Sequence, residues 1–79
     1  MKATTIVNLG TISGVKEFVA YSNEFDGTVD LASGKYIVDG KSIMGIFSLD
    51  LSKPIELTAE GSDVGVEKFM ANIKHMVAE

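Results

Sequence analysis

The sequence predicts an α+β fold, a four-stranded antiparallel sheet covered on one face by three helices, in the order β-α-β-β-α-β-α. Three observations carry this expectation. Short β-branched or alternating runs recur at residues 4–8, 28–31, 36–38 and 55–59, and apolar residues at helical spacing fill the stretches between and after them. The two middle runs flank Ser33-Gly34-Lys35, a hairpin that forces antiparallel pairing. Alternating strands leave one sheet face wet, and helices with an apolar stripe need the other, so one sheet covered on one side satisfies both.

Each element has its own signal. Residues 4–8, Thr-Thr-Ile-Val-Asn, form a β-branched run that stops at Leu9-Gly10, as a strand entering a turn does. Val15, Phe18, Val19 and the small Ser22 then recur at i, i+3, i+4 and i+7, one face of a helix for which Thr11 or Ser13 supplies the N-cap hydroxyl. Residues 23–27 break that pattern before the hairpin, where Gly34 is free to take positive φ. Asp39-Gly40 closes the third strand. Ser42 caps a two-turn helix over residues 43–49, which Gly45 weakens by about 1 kcal/mol relative to Ala. Lys53-Pro54 imposes an extended lead into the fourth strand. Ser62 and Asp63 mark the start of the last helix, whose stripe is Val66, Phe69, Met70, Ile73 and Val77.

The chain of 79 residues fits one domain, residues 1–79, and 46% hydrophobic content is enough for a core. The absence of Cys removes disulfides and thiolate metal sites and accords with a cytoplasmic setting. The formal charge is −4 with seven Lys and no Arg, which leaves no guanidinium fork for phosphates or base edges and argues against nucleic acid as a direct ligand. The first nine residues lack the apolar region of roughly 7–15 residues of a secretory signal, and no window approaches the ~20 of a membrane span, so no membrane insertion is expected.

Residues able to carry catalysis are few. His75 is the only imidazole, and at about 100° per residue it falls opposite the Val66, Ile73 and Val77 stripe, on the solvent face of the last helical turn, where it meets the helix dipole. No Ser-His-Asp or Cys-His constellation, HExxH, P-loop or GxGxxG string is present, and neither a metal nor an organic cofactor is implied. The chain is therefore expected not to be an enzyme. The middle helix is less bland. With Ser42 at 0°, Ile46 and Leu49 fall at about 40° and 340° while Phe47 and Met44 fall near 140° and 200°. A two-turn helix at the edge of one sheet buries one of these sides, so Met44 and Phe47, with Ile43, form an exposed apolar patch beside the Ser42 cap unless loop residues cover Phe47. A phosphoryl group on Ser42 would meet free N–H groups and be tolerated without unfolding.

The string Lys-Ser-Ile-Met-Gly-Ile-Phe-Ser-Leu at residues 41–49 resembles the regulatory serine segment of HPr, the histidine-containing phosphocarrier of the bacterial sugar phosphotransferase system, in its Gram-positive form. Element order, the Ser-Gly-Lys hairpin, the strand and turn at residues 55–61 and overall length match as well, and imply the HPr-like open-faced β-sandwich. One motif departs. The family carries Gly-x-His, a small residue and Arg-Pro at the start of the first helix; here that stretch is Leu9-Gly10-Thr11-Ile12-Ser13-Gly14-Val15. The resemblance puts Thr11 in the acceptor's place and Ser13 in the arginine's. It also implies that Ser42 is the site of the ATP-dependent HPr kinase/phosphorylase, and that Ile12, Lys16, Ile43, Met44 and Phe47 form the partner-docking surface.

This combination is similar to the catabolite-repression HPr-like proteins, which lack the acceptor histidine and whose serine-phosphorylated form serves a LacI-type regulator. The expected function is a regulatory or adaptor protein tied to the phosphotransferase system and carbon catabolite regulation, not competent as a histidine phosphocarrier. Its expected partners are HPr kinase/phosphorylase, a LacI-type catabolite regulator or other phosphotransferase-system proteins. Two alternatives stay open: a phosphocarrier that uses the hydroxyl of Thr11 or Ser13, and a degenerate protein-binding scaffold that keeps Ser42 only as a cap.

Overall fold

A computed structural model describes residues 1–78. The elements are β1 (Lys2–Val7), α1 (Ile12–Glu24), β2 (Thr28–Ser33), β3 (Tyr36–Asp39), α2 (Ile43–Phe47), β4 (Ile55–Glu60), α3 (Asp63–Asn72) and a 3₁₀ turn, Lys74–Met76. The expected order and fold class hold. The sheet order is β1-β4-β2-β3 with every pair antiparallel, and β4 reaches the centre because it pairs with β1 on one side and β2 on the other. Gly34 takes φ 60° in the two-residue turn between β2 and β3, a conformation open to glycine at little cost.

Alternation fixes the faces. Val7, Ile55, Leu57, Ala59, Val29 and Leu31 point inward and are buried, while Lys2, Thr4, Glu56, Glu60, Asp30, Ile37 and Asp39 point outward and are exposed. The helices close the inner face with Val15 and Phe18 from α1, Ile46 from α2, and Val66 and Phe69 from α3. Phe69 joins two aromatic contacts, edge-on to Phe18 at 5.9 Å and stacked on Phe25 at 5.2 Å. Ser22 occupies the expected place on the inner face of α1, and its buried hydroxyl makes no hydrogen bond.

Three expectations are corrected. The first strand begins at Lys2 rather than Thr4, because β4 offers it partners as far as Glu60. The second helix spans Ile43–Phe47; Ser48 is its C-cap, and Leu49 is buried from the loop that follows. The last helix does not run to Val77. It ends at Asn72 and tightens into the 3₁₀ turn, which brings Met76 into the core and frees the chain to meet β1. There Val77 bridges Val7, the Ala78 N–H donates to the Ile6 carbonyl at 2.8 Å, and the Asn8 N–H donates to the Met76 carbonyl at 2.8 Å. Pairing with an open sheet edge satisfies backbone groups that a further helical turn would have satisfied within itself, and it covers that edge as well.

Candidate functional site

The three helices begin alike. Thr11, Ser42 and Ser62 each take extended backbone, and each hydroxyl accepts the N–H of a glycine three residues on: Gly14 at 3.0 Å, Gly45 at 3.2 Å and Gly65 at 3.0 Å. Of the two caps open for α1, Thr11 is the one used. Its loop is tight. Gly10 has φ 41°, the Thr11 N–H donates to the Leu9 carbonyl, and a Cβ on Gly14 would lie 2.4 Å from the Leu9 carbonyl oxygen.

The C-terminal turn lies against this end of α1. His75 Nε2 sits 2.9 Å from a Glu17 carboxylate oxygen, with both side chains about half exposed. The sequence reading left His75 on a solvent face beside its own helix dipole; the structure keeps it exposed but places it against α1. Glu17 is six residues from Thr11, which at 1.5 Å of rise per residue is roughly 9 Å along the helix axis.

Ser42 is tied to the C-terminal end of α1 through its neighbour in the chain. It follows Lys41, whose Nζ donates to the carbonyl of Phe25, the C-cap of α1, at 2.6 Å and stands 5.9 Å from the Phe25 ring centroid. The Ser42 N–H donates to the Asp39 carbonyl at 3.0 Å, and the Lys41 N–H to an Asp39 carboxylate oxygen at 2.9 Å. These bonds, with Ile46 buried beneath, hold a helix too short to be stable alone. Gly45 lets it approach β3: a Cβ there would meet the Cβ of Val38 at 3.3 Å.

Ile46 and Leu49 are buried, and Met44 is 78% and Phe47 41% exposed, so loop residues do not cover Phe47; Ile43 is half-buried. On α1, Ile12 is 64% exposed and Lys16 is exposed. Tyr21 shares a cleft with Lys68, Phe69 and Asn72, which puts α3 on the Tyr21 flank of α1. Taking about 100° per residue, Ile12 and Lys16 fall on the opposite flank with the half-buried Val19, the side left for α2. Ile12 and Lys16 thus lie on the flank of α1 away from Tyr21, whereas Glu17, which meets His75, lies on the Tyr21 side.

No helix among the described residues is long and apolar enough to cross a membrane, and no group of three metal-binding side chains comes together among them. The Asp50 carboxyl is held below the ordinary carboxylate range, first by the Ser52 hydroxyl at 2.6 Å and then by the Ser52 N–H.

A family model described as the PTS HPr component phosphorylation site matches residues 14–79. The matched stretch contains Ser42 and all of α2 and begins one residue beyond Ser13. No curated protein matches the sequence. Among solved structures, HPr-C-His from Thermoanaerobacter tengcongensis is similar at 26% identity and a TM-score of 0.72, covering 92% of this chain and 89% of that one. The phosphocarrier protein HPr from Bacillus anthracis is similar at 28% identity and a TM-score of 0.67, covering 91% and 94%. The histidine-containing phosphocarrier protein of Mycoplasma shares the fold at 16% identity and a TM-score of 0.67, with both chains covered in full.

Proposed function

Because the chain belongs to the HPr family of phosphotransferase-system components, we propose that it is a regulatory docking member of that system rather than a histidine phosphocarrier. The observation that carries this reading is the occupant of the α1 N-cap. A hydroxyl, Thr11 Oγ1, stands there, and the one imidazole of the sequence is engaged with Glu17. A phosphocarrier needs a group that gives its phosphate away as readily as it takes it. An imidazole nitrogen forms a labile phosphoramidate, whereas a threonine oxygen forms an ester that does not pass its phosphoryl group on readily.

Ser42 is the residue for which modification makes physical sense. Transfer of the γ-phosphoryl of ATP to Ser42 Oγ, with loss of the hydroxyl proton and release of ADP, adds roughly −1.5 to −2 charge. The new oxygens are placed to accept the Gly45 N–H that the hydroxyl now holds, so α2 keeps its cap. What changes is the charge beside Met44 and Phe47. In the proposed mechanism Ile12, Lys16, Ile43, Met44 and Phe47 dock a protein partner, and the phosphate on Ser42 selects which partner docks. A kinase of the HPr kinase/phosphorylase type writes the mark, and a LacI-type catabolite regulator reads it.

The test is incubation with HPr kinase and ATP, followed by the mass of the intact protein. One added phosphoryl group on the wild type, absent from Ser42→Ala, supports the switch. A wild-type mass that does not move, or a gain that survives Ser42→Ala, overturns it.

A further inference from the structure

The two edges of the sheet are treated differently. The β1 edge is covered by the C-terminal residues through the Val7–Val77 bridge and the Ala78 N–H. No strand pairs with the β3 edge among the described residues, and β3 carries two large apolar side chains, Tyr36 at 74% and Ile37 at 72% exposed. It has no proline, and its four residues carry a charge only at Asp39. An uncovered strand edge is a template for another strand.

The backbone specifies what fits there. The Gly40 N–H donates to the Val29 carbonyl at 2.7 Å, which makes those two residues a hydrogen-bonded pair one step beyond Asp30 and Asp39. Antiparallel pairs alternate, so Leu31 with Val38 and Ser33 with Tyr36 are also hydrogen-bonded pairs. Within β3 the backbone groups of Ile37 and the N–H of Asp39 are left facing outward; the Asp39 carbonyl accepts from Ser42, and Lys35 lies in the turn before the strand.

From this we infer that β3 pairs with β3 of a second copy of this chain, antiparallel, about a two-fold axis at Ile37. In this register Ile37 faces Ile37 of the second copy, Tyr36 faces its Val38, and Lys35 faces its Asp39, with the same charge pair repeated across the axis. The two Ile37 residues then exchange both backbone hydrogen bonds across the axis. A shift of two residues in either direction takes Lys35 away from Asp39 and loses both charge pairs. The surface is self-complementary, as a two-fold interface requires.

The charges give a second, separate reason. Asp30 and Asp39 stand directly across from each other on the outer face of the sheet, a like-charge pair that opposes pairing, and neither has an ion-pair partner among the described residues. Lys35 also lacks one. Each copy thus presents a cation with no ion-pair partner beside one end of β3 and an anion facing Asp30 at the other, and the two-fold brings them together. One short strand buries far less than the ~1,600 Å² of a standard stable interface, so the association is weak and appears at high protein concentration. The sheet would then run continuously through eight strands, β1-β4-β2-β3 and its inverse, with α1 and α2 of both copies left free.

Sedimentation of the full chain up to millimolar concentration, with amide exchange read at Ile37, tests this. The wild type is expected to dimerise reversibly with the Ile37 N–H protected in the dimer. Lys35→Asp and Asp39→Lys each turn two attractions into repulsions and are expected to weaken association roughly tenfold. An equimolar mixture of these two variants restores the complementarity and is expected to associate at least as well as the wild type. Circular dichroism checks that both variants fold; Asp39→Lys also removes the clash with Asp30. A wild type that stays monomeric, a dimer indifferent to either reversal, or a mixture that fails to re-form overturns the proposal. None of these outcomes depends on Ser42 or Thr11.

Discussion

The starts of α1 and α2 make an instructive pair. Both are capped by a hydroxyl that accepts the N–H of a glycine three residues on, yet the glycines do different work. Gly14 is there because the Leu9 carbonyl presses against it, 2.4 Å from where a Cβ would stand, so the loop before α1 is locked by its own backbone. Gly45 meets only the side chains of Val38 and Ser42, at 3.3 and 3.4 Å, and its helix is held from outside by Lys41, Asp39 and the buried Ile46. The lesson is that one capping geometry serves a corner closed by backbone in the first case and a five-residue helix held by neighbouring side chains in the second. The exposed side of that second helix carries Met44 and Phe47.

The sharpest way to break this comparison is to add one methyl group at each glycine. Gly14→Ala is expected to cost about 1–3 kcal/mol in chemical denaturation, because a backbone carbonyl must move. Gly45→Ala is expected to stay within about 0.5 kcal/mol of the wild type, as the gain in helix propensity of ~1 kcal/mol is offset by crowding against Val38. Equal losses at the two sites would mean that the two corners are not distinct.

Next in size are the caps themselves. Thr11→Ala and Ser42→Ala are each expected to lose about 1 kcal/mol of stability in thermal unfolding. Ser42→Asp supplies another good cap and is expected to lose less than about 0.5 kcal/mol. A large loss in that variant would remove the argument that α2 tolerates negative charge at its start.

The smallest effect lies in the loop after α2. Ser52→Ala removes the hydroxyl that holds the Asp50 carboxyl below its usual range, so the Asp50 titration, followed by NMR, is expected to move up in pH. A depressed carboxyl adds stability that is present above its unfolded pKa and is lost as pH falls through the folded one. The variant is therefore expected to lose this contribution at a higher pH than the wild type, on the acid limb alone. An unchanged titration would mean that Ser52 does not govern Asp50.

Much of the architecture was legible in the sequence because it is local. The Val15, Phe18 and Ser22 face, the Gly34 turn, the Ser42 and Ser62 caps and the burial of Ile46 and Leu49 each follow from spacing within a few residues. What escaped is non-local. The stripe through Val77 has good helical spacing, and only the availability of the β1 edge, seventy residues earlier in the chain, explains why the helix stops at Asn72. Glu17 and His75 meet across 58 residues, and Lys41 reaches Phe25 across 16, with no pattern in the sequence to announce either contact. The complementarity of Lys35 and Asp39 likewise becomes visible only once the β2–β3 register is known. At the candidate site the residue types could be read in advance, while the placement of His75 against Glu17 of α1 required the fold.

The most direct measurement is a phosphoenolpyruvate-dependent transfer assay with the first enzyme of the phosphotransferase system, run on this protein beside a histidine-bearing HPr. The expected result is label on the control and none on this chain, at Thr11, Ser13 or His75. Label that enters this polypeptide and passes onward to a sugar permease subunit would contradict the account.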